Sequence, residues 1–143
     1  MNRRDLLLAI LSASNGQPYQ PVQIQKAVFL VSRNLPGVVN DGPGFAFAPY
    51  DYGPFDSLVY SEAEALQREG LATVVPAASG WRTYAVSQDG LGPGRALLES
   101  LPEIQRDYIV NVSEWVRKLG FADLVKSIYE AYPEQRVNSV FQG

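Results

Sequence analysis

Six consecutive apolar residues near the start of the chain, Leu6-Leu7-Leu8-Ala9-Ile10-Leu11, constrain the fold more than any other stretch. Wound into a helix they leave no polar face, so the helix must be enclosed by the rest of the chain. Asn2 stands where an N-cap side chain accepts from the first turn, and Asn15-Gly16 supplies a left-handed stop. The expected helix runs from Arg3 to Ser14. The apolar run is far shorter than the ~20 residues that cross a bilayer, and no small-residue cleavage site follows it. It therefore reads neither as an anchor nor as a secretory leader, and the expected compartment is the cytoplasm.

An enclosed helix needs amphipathic neighbours. Pro21 suits the first position of a second helix, in which Ile24, Ala27, Val28 and Val31 share one side and Gln23, Lys26 and Arg33 the other. Leu35-Pro36-Gly37 ends it. Residues 37–54 read as an irregular connection, with Phe45-Ala46-Phe47-Ala48 alternating as a short strand does. Gly53-Pro54 is expected to open a third helix reaching Glu69. Its inner face is Leu58, Val59, Ala63 and Leu66, and its outer face Ser57, Tyr60, Ser61, Glu64 and Arg68. Gly70 stops it. Leu71–Val75 and Trp81–Val86, separated by Pro76–Gly80, read as a β-hairpin. Gly90-Leu91-Gly92-Pro93-Gly94 is expected to be a turn leaving that hairpin. Arg95–Leu101 then leads through Pro102 into a long helix ending at Gly120, with an apolar stripe of Leu101, Ile104, Tyr108, Val112, Trp115 and Leu119. That stripe fits inner packing and a homodimer seam alike. A last helix over Ala122–Tyr132 stops at Pro133.

Composition narrows the chemistry. The 143 residues include no histidine and no cysteine, which removes imidazole relays, thiol nucleophiles, disulfides and Cys/His zinc sites. No cofactor or metal is expected, and binding is expected rather than catalysis. Twelve Lys+Arg against fifteen Asp+Glu leave a net charge of −3, with no basic arm in either half. Affinity for a polyanion comes largely from neutralised phosphates, so such a chain needs a local basic patch to hold nucleic acid.

The order helix, helix, helix, hairpin, helix is that of a winged helix-turn-helix, so the expected class is α+β, mainly helical, with a β-hairpin wing and extra C-terminal helices. One domain is expected over 1–143: a winged-helix core at 1–101, appended helices at 102–133 and a tail at 134–143. Two segments carry a narrower likeness. Ile24-Gln25-Lys26-Ala27-Val28-Phe29-Leu30 and Tyr50-Asp51-Tyr52-Gly53-Pro54-Phe55, with Val59-Tyr60 after it, resemble motifs of the Panacea, or SocA-like, antitoxin domain. Leu124, Ile128-Tyr129 and Tyr132-Pro133 are similar to its closing helix. The resemblance implies a non-enzymatic protein that holds a toxin or another regulated partner, sometimes as an adaptor that delivers it to a protease.

Candidate contact residues follow from two readings. Residues 50–70 carry Asp51, Asp56, Glu62, Glu64 and Glu69 against Arg68 alone, an acidic face suited to a basic protein partner. With the aromatic rings this nominates Tyr50, Tyr52, Asp56, Tyr60 and Glu64. The alternative is a DNA-binding regulator that uses Ser57, Ser61, Arg68 and Arg82, with Arg3, Arg4 and Arg33 converging on the same strip. Gln25, Lys26, Gly53, Pro54 and Gly70 are expected to be structural, with Lys26 tied to Asp51 or Asp56. Phe45, Phe47, Tyr50, Tyr52, Phe55 and Tyr60 put six of sixteen aromatics into sixteen residues. That cluster reads as packed core with one or two rings left as interface anchors.

Overall fold

A computed structural model describes residues 1–143. Helix α1 (Arg3–Ser12) starts at Asn2, whose side chain accepts from the Asp5 N–H at 2.8 Å, and every residue from Leu6 to Ser12 is buried. As its sequence requires, α1 is enclosed: helices α3 (Leu58–Arg68) and α4 (Gln88–Glu99) and the strand Arg82–Val86 pack around it. Helix α2 (Pro21–Asn34) begins at the expected proline. Two residues assigned to its polar side, Gln23 and Lys26, are buried. Gln23 turns its side chain back to accept from the Gln20 N–H at 2.8 Å.

The segment after α2 departs from expectation. Ala48–Tyr50 (β1) and Gly53–Phe55 (β2) form a small antiparallel hairpin with Tyr50 opposite Gly53. Gly53-Pro54 therefore closes a turn instead of opening a helix. The reason lies in Gly53, whose φ of +102° is left-handed and so favours a tight hairpin at a residue without a Cβ. Helix α3 starts later and spans Leu58–Arg68. Gly70, at φ +79°, ends it, with the Leu71 N–H donating to the Leu66 carbonyl at 2.9 Å, so the chain turns directly into β3.

Strands β3 (Ala72–Pro76) and β4 (Arg82–Val86) form the one hairpin that was expected, the second along the chain. Tyr19, between α1 and α2, adds a one-residue bridge to its edge through reciprocal backbone bonds with Tyr84 at 2.8 and 2.9 Å.

The glycine-rich segment expected as a turn is helical. Helix α4 (Gln88–Glu99) contains all of Gly90–Gly94, is capped by Ser87, and carries Pro93 within its first turns. Gly90 and Gly94 sit on one face, where a Cβ would collide with the Leu71 carbonyl and with Ser12 respectively. Without a Cβ at either position, α4 can approach α1 and the start of β3 closely.

Helices α5 (Glu103–Lys118) and α6 (Phe121–Ala131) complete the fold, followed by a 3₁₀ turn at Pro133–Arg136. The α5 stripe is rotated from expectation: Ile109, Val112, Ser113 and Val116 face inward, while Ile104 is 84% exposed. Ser113 is drawn inside because its hydroxyl bonds that of Tyr19, which in turn donates to the Ile10 carbonyl at 2.6 Å. One contiguous cluster of 26 buried residues draws on all six helices and the second hairpin. The class is α+β, mainly helical. No helix is long and apolar enough to cross a membrane.

Candidate protein-binding groove

The two motif segments quoted from the sequence pack directly on each other. Gln25 brackets the backbone of Asp56: its Nε2 donates to the Asp56 carbonyl at 2.9 Å, and its Oε1 accepts from the Asp56 N–H at 3.1 Å. Lys26 Nζ donates to the Pro54 carbonyl at 3.2 Å. The expected tie from Lys26 to Asp51 or Asp56 is absent, because no carboxylate lies within ion-pairing distance of Nζ. Lys26 is only 3% exposed, and burial without a counter-charge pulls its pKa down from 10.5 to about 7.

Asp56, nominated as a contact residue, is buried and occupied. Its Oδ2 accepts from the Ala46 N–H at 2.7 Å and its Oδ1 from the Leu58 N–H at 2.9 Å. The carboxylate thus latches the loop before β1 onto the first turn of α3, a structural task that removes it from any surface.

Above Lys26 lies a groove of about 180 Å³ between the first hairpin, α2, α3 and the tip of the second hairpin. Tyr50, Tyr52, Phe55 and Tyr60 line it, joined by Trp81 and Phe121. Tyr60 serves as its inner wall instead of an outer-face contact. Its ring stacks on Tyr84 at 5.3 Å and meets Phe55 edge-on at 5.8 Å, and burial lifts its hydroxyl pKa to about 12. Tyr50 and Tyr52 are 56% and 43% exposed, while Phe45, Phe47 and Phe55 are half-buried. Tyr52 meets Phe121 edge-on at 5.0 Å, and Phe141 from the C-terminal tail continues the row behind Phe121. The tail lies along the first hairpin, with the Val140 N–H donating to the Asp51 carbonyl at 3.0 Å.

Trp81 and Phe121 were missed by the sequence reading. Each follows a glycine at the edge of an element, Gly80 and Gly120, where a large ring has few in-chain neighbours. That position was the available signal: Trp81 is 61% exposed and Phe121 40%.

The outer face of α3 and the second hairpin is a different surface. Glu64 accepts from Arg82 at 3.2 Å, Glu62 from Arg3 at 3.4 Å, and Glu69 takes both Nε and Nη2 of Arg4 at 2.8 and 2.9 Å. The Arg4 guanidinium holds the Glu69 carboxyl below the usual carboxylate range. Arg33 lies elsewhere, paired with Glu134 at 3.2 Å and placed over the Tyr132 ring. Ser57, Ser61 and Arg68 are exposed, and Arg68 is the only arginine of the proposed strip outside an ion pair. No group of three or more acidic residues is arranged to hold a metal ion. No family model, curated protein or solved structure matches the chain.

Proposed function

We propose that this chain is a winged helix-turn-helix protein of antitoxin-like or adaptor type that acts by binding another protein, through the ring-lined groove over Lys26. One observation carries the reading. Four large rings, Tyr50, Tyr52, Trp81 and Phe121, stand exposed around one cleft instead of being scattered singly. Clustered, partly buried aromatics rimmed by polar groups are the usual anchors of protein interfaces. The winged-helix assignment is supported by the element order, by the Gly70 turn that feeds the hairpin, and by the Tyr19 bridge at the hairpin's edge. The likeness to the Panacea domain is supported by the way its two motif segments meet, Gln25 on Asp56 and Lys26 on Pro54.

The alternative, duplex DNA bound by α3 and the hairpin, draws on a surface whose arginines Arg3, Arg4 and Arg82 already face in-chain carboxylates. Phosphates would have to displace Glu62, Glu64 and Glu69 and then tolerate them nearby, which opposes affinity.

The test is capture of tagged protein from its native host with and without nuclease, beside a Tyr52→Ser/Trp81→Ser variant and an Arg68→Ala/Arg82→Ala variant. A stoichiometric protein that survives nuclease and is lost only with the ring variant is expected. Recovery of specific DNA that depends on the arginines would replace this reading with the regulator.

A further inference from the structure

The reading above says that a protein occupies the groove, and the groove's chemistry narrows which group enters it. Lys26 lines the groove yet is almost wholly buried. Its ammonium has three donors and one acceptor, the Pro54 carbonyl. Asp51 also lines the groove but does not pair with it. Lys26 is the only buried lysine or arginine of the chain; the other eleven are half-buried or exposed, and four of these, Arg3, Arg4, Arg33 and Arg82, have a carboxylate at 3.4 Å or less. A buried cation without an anion is costly, so a site that keeps one favours an occupant that brings the missing charge.

Size and surroundings complete the description. A space of about 180 Å³ is smaller than the ~300–1,000 Å³ typical of small-molecule pockets and suits a single side chain. Exposed rings flank it and offer apolar contact to a neighbouring residue of the same partner.

We propose that the groove is a receptor for an acidic side chain of the protein partner, presented beside an apolar residue, with its carboxylate placed on Lys26 Nζ. The inference rests on the protein-binding reading and adds selectivity: a neutral side chain in the groove would leave the Lys26 donors unpaired, whereas a carboxylate satisfies them.

The test uses the full chain with ¹³C-labelled lysine, titrated at pH 7 with acetyl-Phe-Glu-amide, acetyl-Phe-Gln-amide and acetate, followed at the Lys26 ε-methylene. Expected is a saturable shift with the Glu peptide, with affinity at least about tenfold above that for the Gln peptide or acetate. In Lys26→Met the Glu and Gln peptides should bind alike. Equal binding of the two peptides to wild type, or a Lys26 signal that the Glu peptide does not move, overturns the inference. Acetate binding as tightly as the peptide overturns the assignment to a partner's side chain. The peptide comparison needs no variant, so it stands even if Lys26→Met folds poorly. The two proposals also fail separately. A protein captured equally by wild type and Lys26→Met sinks the carboxylate inference and leaves the protein-binding reading intact. Loss of groove-dependent capture with the peptide selectivity preserved sinks the reading instead.

Discussion

Two regions of this molecule treat positive charge in opposite ways. On the outer face of α3 and the second hairpin, cations are exposed or half-buried and matched: Arg82 with Glu64, Arg3 with Glu62, Arg4 with Glu69. Under the first hairpin, Lys26 is buried and unmatched. Water and salt already screen the first set, so those pairs do little for the fold and leave little free charge for a ligand. The second site holds its cation at the expense of stability, and such expense is characteristic of binding surfaces.

Stability measurements can break this contrast. The largest effect is expected from Lys26→Met. In the unfolded chain Lys26 titrates near 10.5 and in the folded one near 7. Between those values the unfolded state binds more protons, so wild-type stability rises with pH across the window. At about 1.4 kcal/mol per pH unit the full difference is about 4–5 kcal/mol, and loss of the Pro54 bond returns about 1. Lys26→Met should therefore be more stable than wild type by about 3 kcal/mol at pH 6, with the advantage fading toward pH 10, as read by urea unfolding at a series of pH values. A variant less stable than wild type at pH 6 would dissolve the contrast.

The alkaline end of the same series sharpens it. Burial lifts the Tyr19 and Tyr60 hydroxyls to about 12, above the ordinary value of 10, so the unfolded state loses these protons first. Wild-type stability should climb from pH 7 to about 10 and then fall between 10 and 12.

Next in size is Asp56→Ala, which strands the Ala46 and Leu58 N–H groups and should cost about 2–3 kcal/mol. Asp56→Asn, which keeps one acceptor, should lose less. Gly90→Ala should cost about 2 kcal/mol, because its Cβ meets the Leu71 backbone, which cannot swing aside. The smallest change belongs to the matched face: Arg82→Ala should shift stability by about 0–0.5 kcal/mol and less in high salt. A loss of 2 kcal/mol there would mean that the paired face is not the passive one.

Which parts were legible in the sequence follows from how local their causes are. The enclosed α1, the Pro21 start of α2, the Gly70 stop and the second hairpin were all legible, because caps, periodicity and turn residues act within a few positions. Gly53-Pro54 and Gly90–Gly94 were each misread, in opposite directions. A Gly-Pro pair reads locally as a helix start, but here the glycine's left-handed φ serves a hairpin turn. A Gly-Pro-Gly run reads as a turn, but here Leu71 and Ser12 come too close for any Cβ and so demand glycine inside a helix. The same limit hid the site. Tyr50 and Tyr52 were nominated from aromatic density, whereas Trp81 and Phe121 join them only through tertiary folding. The rotated α5 stripe has a similar origin: Ser113 points inward to meet Tyr19, ninety-four residues earlier. Lys26 lies on the helix side that periodicity marks as polar, and nothing local announces that the first hairpin covers it.

The most direct measurement is the titration of Lys26 itself, followed by its ¹³Cε signal from pH 5 to 11 in the intact protein. A midpoint near 7 is the expected result, and it would establish a buried cation without a counter-charge beneath the exposed rings. A midpoint near 10.5 would mean that Lys26 is solvated or paired, and the groove would lose the feature that distinguishes it from the rest of the surface.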